Sequence, residues 1–192
     1  MAEPRRFARL RRQPTPGTTE VPDDGMCLSA FLLVHPGDDR RKVLLGKLAP
    51  DGPWEEAAGL DAVRLAGIGD RWVLPASQLL LFEGPAEAAE RLARELLGRP
   101  DLRPGAPRIF SEAYSRPATA RDRGTNTQDP HWDLHFVFPT TWPGGSLDDS
   151  RGRLWRELRF LDVGATASTS IGRGHGDVLA LAGVAPSDRG RA

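Results

Sequence analysis

The residues with the clearest capacity for chemistry lie in one stretch, residues 72–99, which is rich in glutamate and arginine. Glu87, Arg91 and Glu95 follow one another at intervals of four, and Glu83 stands shortly before them. Glutamates three or four residues apart on a helix share one face, where their oxygens can converge on a hard divalent cation. The same spacing with alternating sign also gives exposed ion pairs, such as Glu95 with Arg91, worth about 0.3–0.5 kcal/mol each. A metal site and a solvated charge ladder both fit this pattern.

The element that must position these side chains is a helix, predicted over residues 86–97. Pro85 suits its first turn, and Gly98 stands where a C-cap is needed. The body is rich in Ala, Leu, Glu and Arg, which are good helix formers, and its apolar positions repeat every four residues. Residues 72–74 read as a short apolar strand and residues 78–82 as a second apolar run, and a Glu-Gly-Pro turn leads from that run into the helix.

This stretch resembles a Nudix box, whose pattern is G-x5-E-x7-R-E-U-x-E-E-x-G-U, with U a bulky aliphatic residue. The fixed positions that this chain retains are Glu83, Arg91, Glu95 and Gly98. The chain departs from the pattern at a glycine, two glutamates and the last aliphatic residue, which are replaced by Ser77, Leu92, Leu96 and Arg99. The resemblance extends over about residues 26–183, and it identifies the box, residues 77–99, as a degenerate one.

The resemblance implies an α/β fold, a Nudix-like α/β/α sandwich around a mixed β-sheet. Working family members split a diphosphate linked to a nucleoside or another group, using Mg²⁺ or Mn²⁺ held by carboxylates of the box helix. Of the three helix positions that would hold the metal, only Glu95 keeps a carboxylate, so Glu95 is the predicted catalytic residue and metal ligand. The family pattern further implies that Glu83 and Arg91 form a structural ion pair and that Gly98 ends the helix.

Leu92 and Leu96 replace carboxylates beside Glu95 with side chains that have no lone pairs and exclude water. The sequence therefore favours a Nudix-fold protein that binds a nucleotide-like ligand or a partner, with little or no pyrophosphohydrolase activity and with no cofactor or only weakly bound Mg²⁺ or Mn²⁺. The alternative is a Mg/Mn-dependent pyrophosphohydrolase acting on a nucleoside diphosphate derivative, with metal ligands partly outside the box. We expect both leucines to be covered by residues 49–70 and Trp54, by a loop after the box, or by a second subunit.

Three further features could contribute to a site. Trp54, in the long connection 49–70, either stacks on a ligand ring or covers the edge of the core. Arg173 lies in a glycine-rich segment whose backbone N–H groups could surround a phosphate, although the segment also reads as a simple connector. On the predicted strand 131–138, three side chains on one face either approach a transition metal or form a solvated or hydrogen-bonded polar face: His131, Asp133 and His135.

The rest of the chain predicts one domain with polar ends. Residues 26–34 and 42–48 are predicted to pair as an antiparallel hairpin. Further predicted elements are strands at 108–114, 131–138 and 155–163 and a closing helix at 177–181. These belong to a predicted Nudix-like domain at 25–183, between an Arg- and Pro-rich disordered tail at 1–24 and a polar tail at 184–192.

Composition excludes several classes of partner. Lys plus Arg and Asp plus Glu both number 26, so the formal charge of zero gives no strong nucleic-acid signal. There is no apolar run of about 18 residues, which indicates that the chain does not span a membrane. Cys27 is the single cysteine, which is compatible with a cytoplasmic location. A homodimer remains open.

Overall fold

The computed structural model describes residues 9–10, 26–60, 62–114, 131–150, 152–162, 171–172 and 175–184. The strands in these parts are β1 (Arg9–Leu10), β2 (Met26–Pro36), β3 (Lys42–Leu48), β4 (Ala76–Gln78), β5 (Arg108–Tyr114), β6 (His131–Trp142) and β7 (Trp155–Asp162). The helices are α1 (Trp54–Ala58), α2 (Ala62–Ile68), α3 (Pro85–Glu95) and α4 (His175–Leu181), with a 3₁₀ turn at Asp148–Ser150.

Strand β2 is the centre of the fold because it has hydrogen-bonded neighbours on both sides. β6 runs parallel to it along its whole length, from Met26 opposite Trp132 to Pro36 opposite Trp142. On the other side, β1 and then β4 pair antiparallel with it. β5 adds antiparallel to β6, so the sheet is mixed.

The predicted hairpin between residues 26–34 and 42–48 is wrong in its pairing, although both strands exist. β3 pairs antiparallel with β7 instead, and the two form a separate ladder. The chain after α2 inserts between β2 and β3: Val73 exchanges two 2.9 Å backbone hydrogen bonds with Gly46, and the Leu32 N–H donates to the Pro75 carbonyl at 2.9 Å. Since both edges of β2 are already used by other strands, β3 must find its partner elsewhere.

Side chains of β2 alternate between two apolar clusters, one on each face of the strand layer. Ala30, Leu32 and Val34 join the cluster that contains residues of α1 and α3, whereas Phe31 and Leu33 join the cluster that contains residues of α4. Burial on both faces explains why β2 is a continuous apolar run and not an alternating one. The helices therefore lie on both sides of a mixed sheet, which is the α/β/α sandwich that the sequence predicts.

The long connection 49–70 is a helix-bearing insertion. It contains α1, which ends at Gly59 with a left-handed φ of 72°, and α2. Leu60, Leu65 and Ile68 pack against the cluster that includes α3. The insertion thus covers part of the box helix.

The apolar run 78–82 begins at the end of β4 and leads into a turn. β4 ends at Gln78, and the chain reverses so that the Glu83 N–H donates to the Leu80 carbonyl at 3.1 Å. At this turn Phe82 adopts a φ of 68° and is 97% exposed. An aromatic residue in this left-handed region is strained, because its Cβ crowds the backbone.

The ends of the chain are only partly described. Arg9 and Leu10 of the predicted N-terminal tail pair with Cys27 and Met26, so this part of the tail belongs to the sheet. The remainder of the tail and residues 185–192 lie outside the described residues. Within the described part of the chain, no helix has the length and apolar character needed to cross a membrane.

Candidate functional site

The turn before the box helix is joined to the helix by a buried ion pair. Arg91 Nε lies 2.6 Å from one carboxylate oxygen of Glu83, and Arg91 Nη2 lies 2.9 Å from the other. The two side chains are 4% and 11% exposed, respectively. Glu83 also accepts the Leu80 N–H at 2.8 Å, so one carboxylate holds both ends of the turn. This is the structural pair that the Nudix resemblance implies.

Arg91 is buried and donates hydrogen bonds to several groups of the preceding loop, so it does not belong to an exposed charge ladder. Its guanidinium also donates to the Gln78 carbonyl at 3.1 Å and to Ser77 Oγ at 3.4 Å. Arg91 therefore pairs with Glu83 and not with Glu95, and the prediction of an exposed charge ladder formed by Glu87, Arg91 and Glu95 is wrong. The reason is that a buried guanidinium requires partners for most of its donors, and the loop supplies them.

The two glutamates of the supposed ladder have separate roles. Glu87 accepts the Gly84 N–H at 2.7 Å at the start of α3, which is the half of a capping box that a glycine N-cap allows. Glu95, the last residue of α3, is 25% exposed and lies 3.2 Å from Arg94 Nη2. Glu95 thus keeps a carboxylate that solvent can reach, at the position where the resemblance implies a metal ligand.

The end of the box helix has the predicted glycine cap. Gly98 adopts a φ of 61°, and the Arg99 N–H donates back to the Ala93 carbonyl at 2.8 Å. Arg99, which replaces an aliphatic residue of the pattern, stacks 4.2 Å from the centre of the Trp142 ring. It also donates to both carboxylate oxygens of Asp101, at 2.8 and 2.6 Å, and this pairing lowers the pKa of Asp101. Arg99 therefore anchors the loop after the helix.

The two leucines that replace box glutamates lie in the core of the same chain. Leu92 is 0% exposed and Leu96 is 2% exposed, and both belong to the cluster that contains Trp54 and Trp155. The Trp155 indole N–H donates to the Leu96 carbonyl at 2.6 Å. The prediction that the leucines are covered is confirmed, and no second subunit is needed to cover them.

Trp54 lies in the same buried cluster as Leu92 and Leu96, so its ring is not available to stack on a ligand. It is 1% exposed, and its ring meets Trp155 edge-on with ring centres 5.0 Å apart. Its indole N–H donates to the Ala49 carbonyl at 3.0 Å, which satisfies its only polar group. The interpretation of Trp54 as a core-edge residue is confirmed.

Sequence reasoning missed the residue that closes the region, Trp155, because no motif marks it. Its ring lies over Gly46, where an added Cβ would come within 2.2 Å of the indole. Gly46 is thus required for close approach of the ring to the β3 backbone. A glycine inside an otherwise apolar strand was the one signal available in the sequence, and it indicates a close approach without naming the partner.

The candidate site on β6 does not form a metal centre among the described residues. His135 is 4% exposed and its ring meets Phe31 edge-on at 5.1 Å, so its face is buried and not a solvated polar one. Asp133 is only partly buried, and the side chain of His131 lies outside the described residues. In the part of the chain that the structure describes, no three His, Cys, Asp or Glu side chains are grouped so that they could hold a metal ion.

The structure describes only part of the glycine-rich segment before α4. The Gly172 N–H donates to the Trp72 carbonyl at 2.8 Å, so this donor is not free for a phosphate. Arg173, the second predicted ligand-binding residue, lies outside the described residues. His175 begins α4, and its Nδ1 accepts the Leu74 N–H at 3.0 Å.

The donor set does not fit the divalent cation that the Nudix resemblance implies. Mg²⁺ and Mn²⁺ require several oxygen ligands, commonly from more than one carboxylate. On the box helix, Glu95 is flanked at the two lost ligand positions by Leu92 and Leu96, which face the core. Of the three helix positions where the resemblance places metal ligands, only Glu95 therefore offers a carboxylate, and no catalytic step through a bound metal is derived for the box.

Comparisons with known proteins bear on the fold. No protein-family model matches the chain, and no curated protein matches it. A mutT/nudix family protein from Listeria innocua superposes with a TM-score of 0.51 at 16% identity, covering 81% of this chain and 90% of that one. The MutT protein from Methanosarcina mazei Go1 superposes with a TM-score of 0.50 at 12% identity, covering 82% and 90%. The chain therefore has the Nudix fold, as the box resemblance implies.

Proposed function

We propose that this chain is a Nudix-fold binding protein with little or no pyrophosphohydrolase activity, whose partner is a nucleotide-like small molecule or another protein. The observation that carries the proposal is the burial of Leu92 and Leu96, at 0% and 2% exposure, on the helix face where the metal ligands would lie. The Trp155 indole bonded to the Leu96 carbonyl closes the same region. Apolar side chains thus occupy the place of a wet, anionic cleft.

Electrostatics gives the physical reason why this arrangement disfavours hydrolysis. A diphosphate gathers negative charge on its oxygens during cleavage, and family chemistry offsets that charge with a divalent cation. A cation placed beside two buried leucines would lose its hydration without gaining oxygen ligands, which costs many kcal/mol. The retained Glu83–Arg91 pair is compatible with this proposal, because it stabilises the turn and the helix whether or not a metal binds.

Binding in this protein must use surfaces other than the filled region. Arg173 remains the proposed residue for an anionic ligand, since it follows Gly172 at the entry to α4. We keep the hydrolase as a second candidate on one observation: Glu95 is 25% exposed, so its carboxylate can reach solvent. In that case the remaining ligands would come from outside the box.

The test is a paired assay of binding and turnover. Purified protein is incubated with ADP-ribose, diadenosine tetraphosphate or a nucleoside triphosphate, with Mg²⁺ or Mn²⁺, and product is measured with and without a chelator. We expect turnover far below about 1 s⁻¹, an ordinary enzyme rate. Calorimetry with ADP-ribose in the presence of chelator then measures whether the ligand binds without metal.

A matched pair of variants separates the two candidates. Glu95→Gln removes the one carboxylate retained at the implied metal-ligand positions, and Glu90→Gln changes an exposed carboxylate on the same helix. Chelator-sensitive turnover above about 1 s⁻¹ that is lost in Glu95→Gln and kept in Glu90→Gln would establish the hydrolase and refute the proposal. Metal-independent binding that is weakened by Arg173→Ala would support it.

A further inference from the structure

The closing helix α4 is attached to the strand layer through its first residue, His175. The Leu74 N–H donates to His175 Nδ1 at 3.0 Å. An accepting Nδ1 carries no proton, so the ring must be neutral with its proton on Nε2. Next to this contact, the Gly172 N–H donates to the Trp72 carbonyl at 2.8 Å. The entry to α4 is therefore held by backbone groups of the segment 72–74 and by one neutral imidazole.

A second imidazole lies close to the first. The rings of His175 and His135 both meet Phe31 edge-on, with ring centres 5.4 and 5.1 Å from it. The surrounding cluster is apolar and includes Val178 and Leu179 of α4, both 0% exposed. Burial, and then the charge of His135, lower the pKa of His175 to about 4. A proton added at this position meets an apolar environment and a second titratable base.

We propose that His175 makes the docking of α4 acid-sensitive, so that its protonation breaks the bond to the Leu74 N–H and releases α4 from the strand layer. A protonated ring presents N–H groups at both nitrogens and can no longer accept. The released segment comprises residues 171–172 and 175–184 of the described chain. The far end of α4 keeps a separate contact, in which Arg108 Nη1 donates to the Ala182 carbonyl at 2.9 Å.

The cations on neighbouring elements do not replace the lost bond. Arg108 of β5 and Lys47 of β3, whose ammonium lies 5.0 Å from the Trp72 ring centre, are cations and cannot pair with an imidazolium. On β6, Asp133 lies two residues from His135 along the strand, and on α4 itself Asp177 follows His175 by two residues. Histidine is the residue type whose ordinary pKa lies in the mildly acidic range, which points to His175 as the sensitive group.

The sign of the effect follows from the two pKa values of His175. In the released helix the pKa returns towards 6.5, and in the docked helix it is about 4. Docking is therefore fully stabilised above about pH 6.5 and weakens as the pH falls towards 4, because the released state binds the proton more tightly. Between about pH 7.5 and about pH 5 the released fraction rises at most about 30-fold, since part of the residue still reaches solvent.

The experiment is hydrogen exchange of the α4 amides as a function of pH. Exchange rates of residues 176–184, corrected for intrinsic chemistry, are compared between about pH 7.5 and about pH 5. His175→Asn offers an amide oxygen near the position of Nδ1 but does not titrate. His35→Asn removes a different buried histidine, whose Nδ1–H donates to the Lys42 carbonyl at 2.9 Å.

We expect opening of α4 in the wild type and in His35→Asn to increase several-fold on acidification, and in His175→Asn to be nearly flat. Equal pH dependence in all three proteins would overturn the proposal. A titration of the wild-type His175 ring by NMR does not depend on any variant folding. A pKa below about 5.5 supports the acid-sensitive dock, whereas a pKa near 6.5 overturns it.

Discussion

Placing glutamate at positions 92 and 96, where the Nudix pattern has it, is the most direct test of whether this face of α3 is a filled core or an open cleft. Both leucines lie in the core, at 0% and 2% exposure, within a cluster that also holds Trp54 and Trp155. We predict that Leu92→Glu with Leu96→Glu severely destabilises the protein and does not create a Mg²⁺ site. The reason is that the new carboxylates would enter an apolar cluster and not a wet cleft.

The magnitude follows from burial. Each fully buried leucine contributes about 1.5–3 kcal/mol relative to exposure, so losing both removes about 3–6 kcal/mol. Each carboxylate that remains charged in the cluster costs several kcal/mol more, and a protonated one leaves polar groups that need partners. Domains of this size are stable by only about 5–15 kcal/mol, so the double variant should be largely unfolded. Each single variant should lose at least about 3 kcal/mol.

The assay is urea unfolding of the single and double variants, followed by thermal shift with and without Mg²⁺. Leu92→Met and Leu96→Met serve as controls, because a swap that conserves volume commonly costs less than about 1.5 kcal/mol. Arg94→Glu adds a glutamate at a position of α3 whose side chain is 56% exposed, and it should change stability little. If the double glutamate variant kept its stability and gained Mg²⁺ binding near millimolar, the reasoning from burial would be refuted.

Two further predictions concern the turn before the box helix. Glu83→Ala and Arg91→Ala should each lower the free energy of unfolding by about 3–5 kcal/mol, because each leaves the other charge buried and unpaired. Glu87→Ala should lower it by only about 1 kcal/mol, through the loss of one capping hydrogen bond. Equal small losses for all three variants in urea unfolding would contradict this prediction. Phe82→Gly should raise the free energy of unfolding by about 0.5–1 kcal/mol, since the ring is 97% exposed at a φ of 68° and glycine relieves the strain. The control Leu81→Gly, at a residue without positive φ, should be destabilising, and a loss of stability in both variants would argue against strain at Phe82.

The parts of the fold that sequence predicts well are those with local physical causes. The box helix was predicted from Pro85 at its start and Gly98 after its end, and the structure places α3 between them at Pro85–Glu95. The Glu83–Arg91 pair was predicted from the motif, because those positions are tied to each other in the pattern. The insertion 49–70 carries helices because a connection of that length within a compact domain tends to have structure of its own.

Pairing partners were not predictable in the same way. The runs 26–34 and 42–48 are adjacent and apolar, which suits a hairpin, but an apolar run does not encode which strand it pairs with. β2 takes β6 as a parallel neighbour, and that choice depends on residues about 100 positions away. Arg91 shows the limit of spacing alone: its i,i+4 spacing suggests Glu95 as the partner, whereas the motif indicates Glu83, with which the guanidinium pairs.

The packing around Leu92 and Leu96 also depends on residues far away in the sequence, and each of these residues requires the others. Leu92 and Leu96 on α3 would be poorly placed on an open face, and Trp155 of β7 covers that region with its indole bonded to the Leu96 carbonyl at 2.6 Å. Trp155 in turn can approach β3 only because residue 46 is glycine, where a Cβ would lie 2.2 Å from the ring.

Loss of the box glutamates is therefore not an isolated defect in an otherwise open cleft. A helix, two strands and the insertion agree in closing it, and agreement between independent elements is what specifies a single packed arrangement. A change at one position cannot reopen the cleft, because the indole, the glycine beneath it and both leucines would each have to change. This mutual dependence maintains the filled region as part of the core, and the proposal of a binding role in place of hydrolysis rests on it.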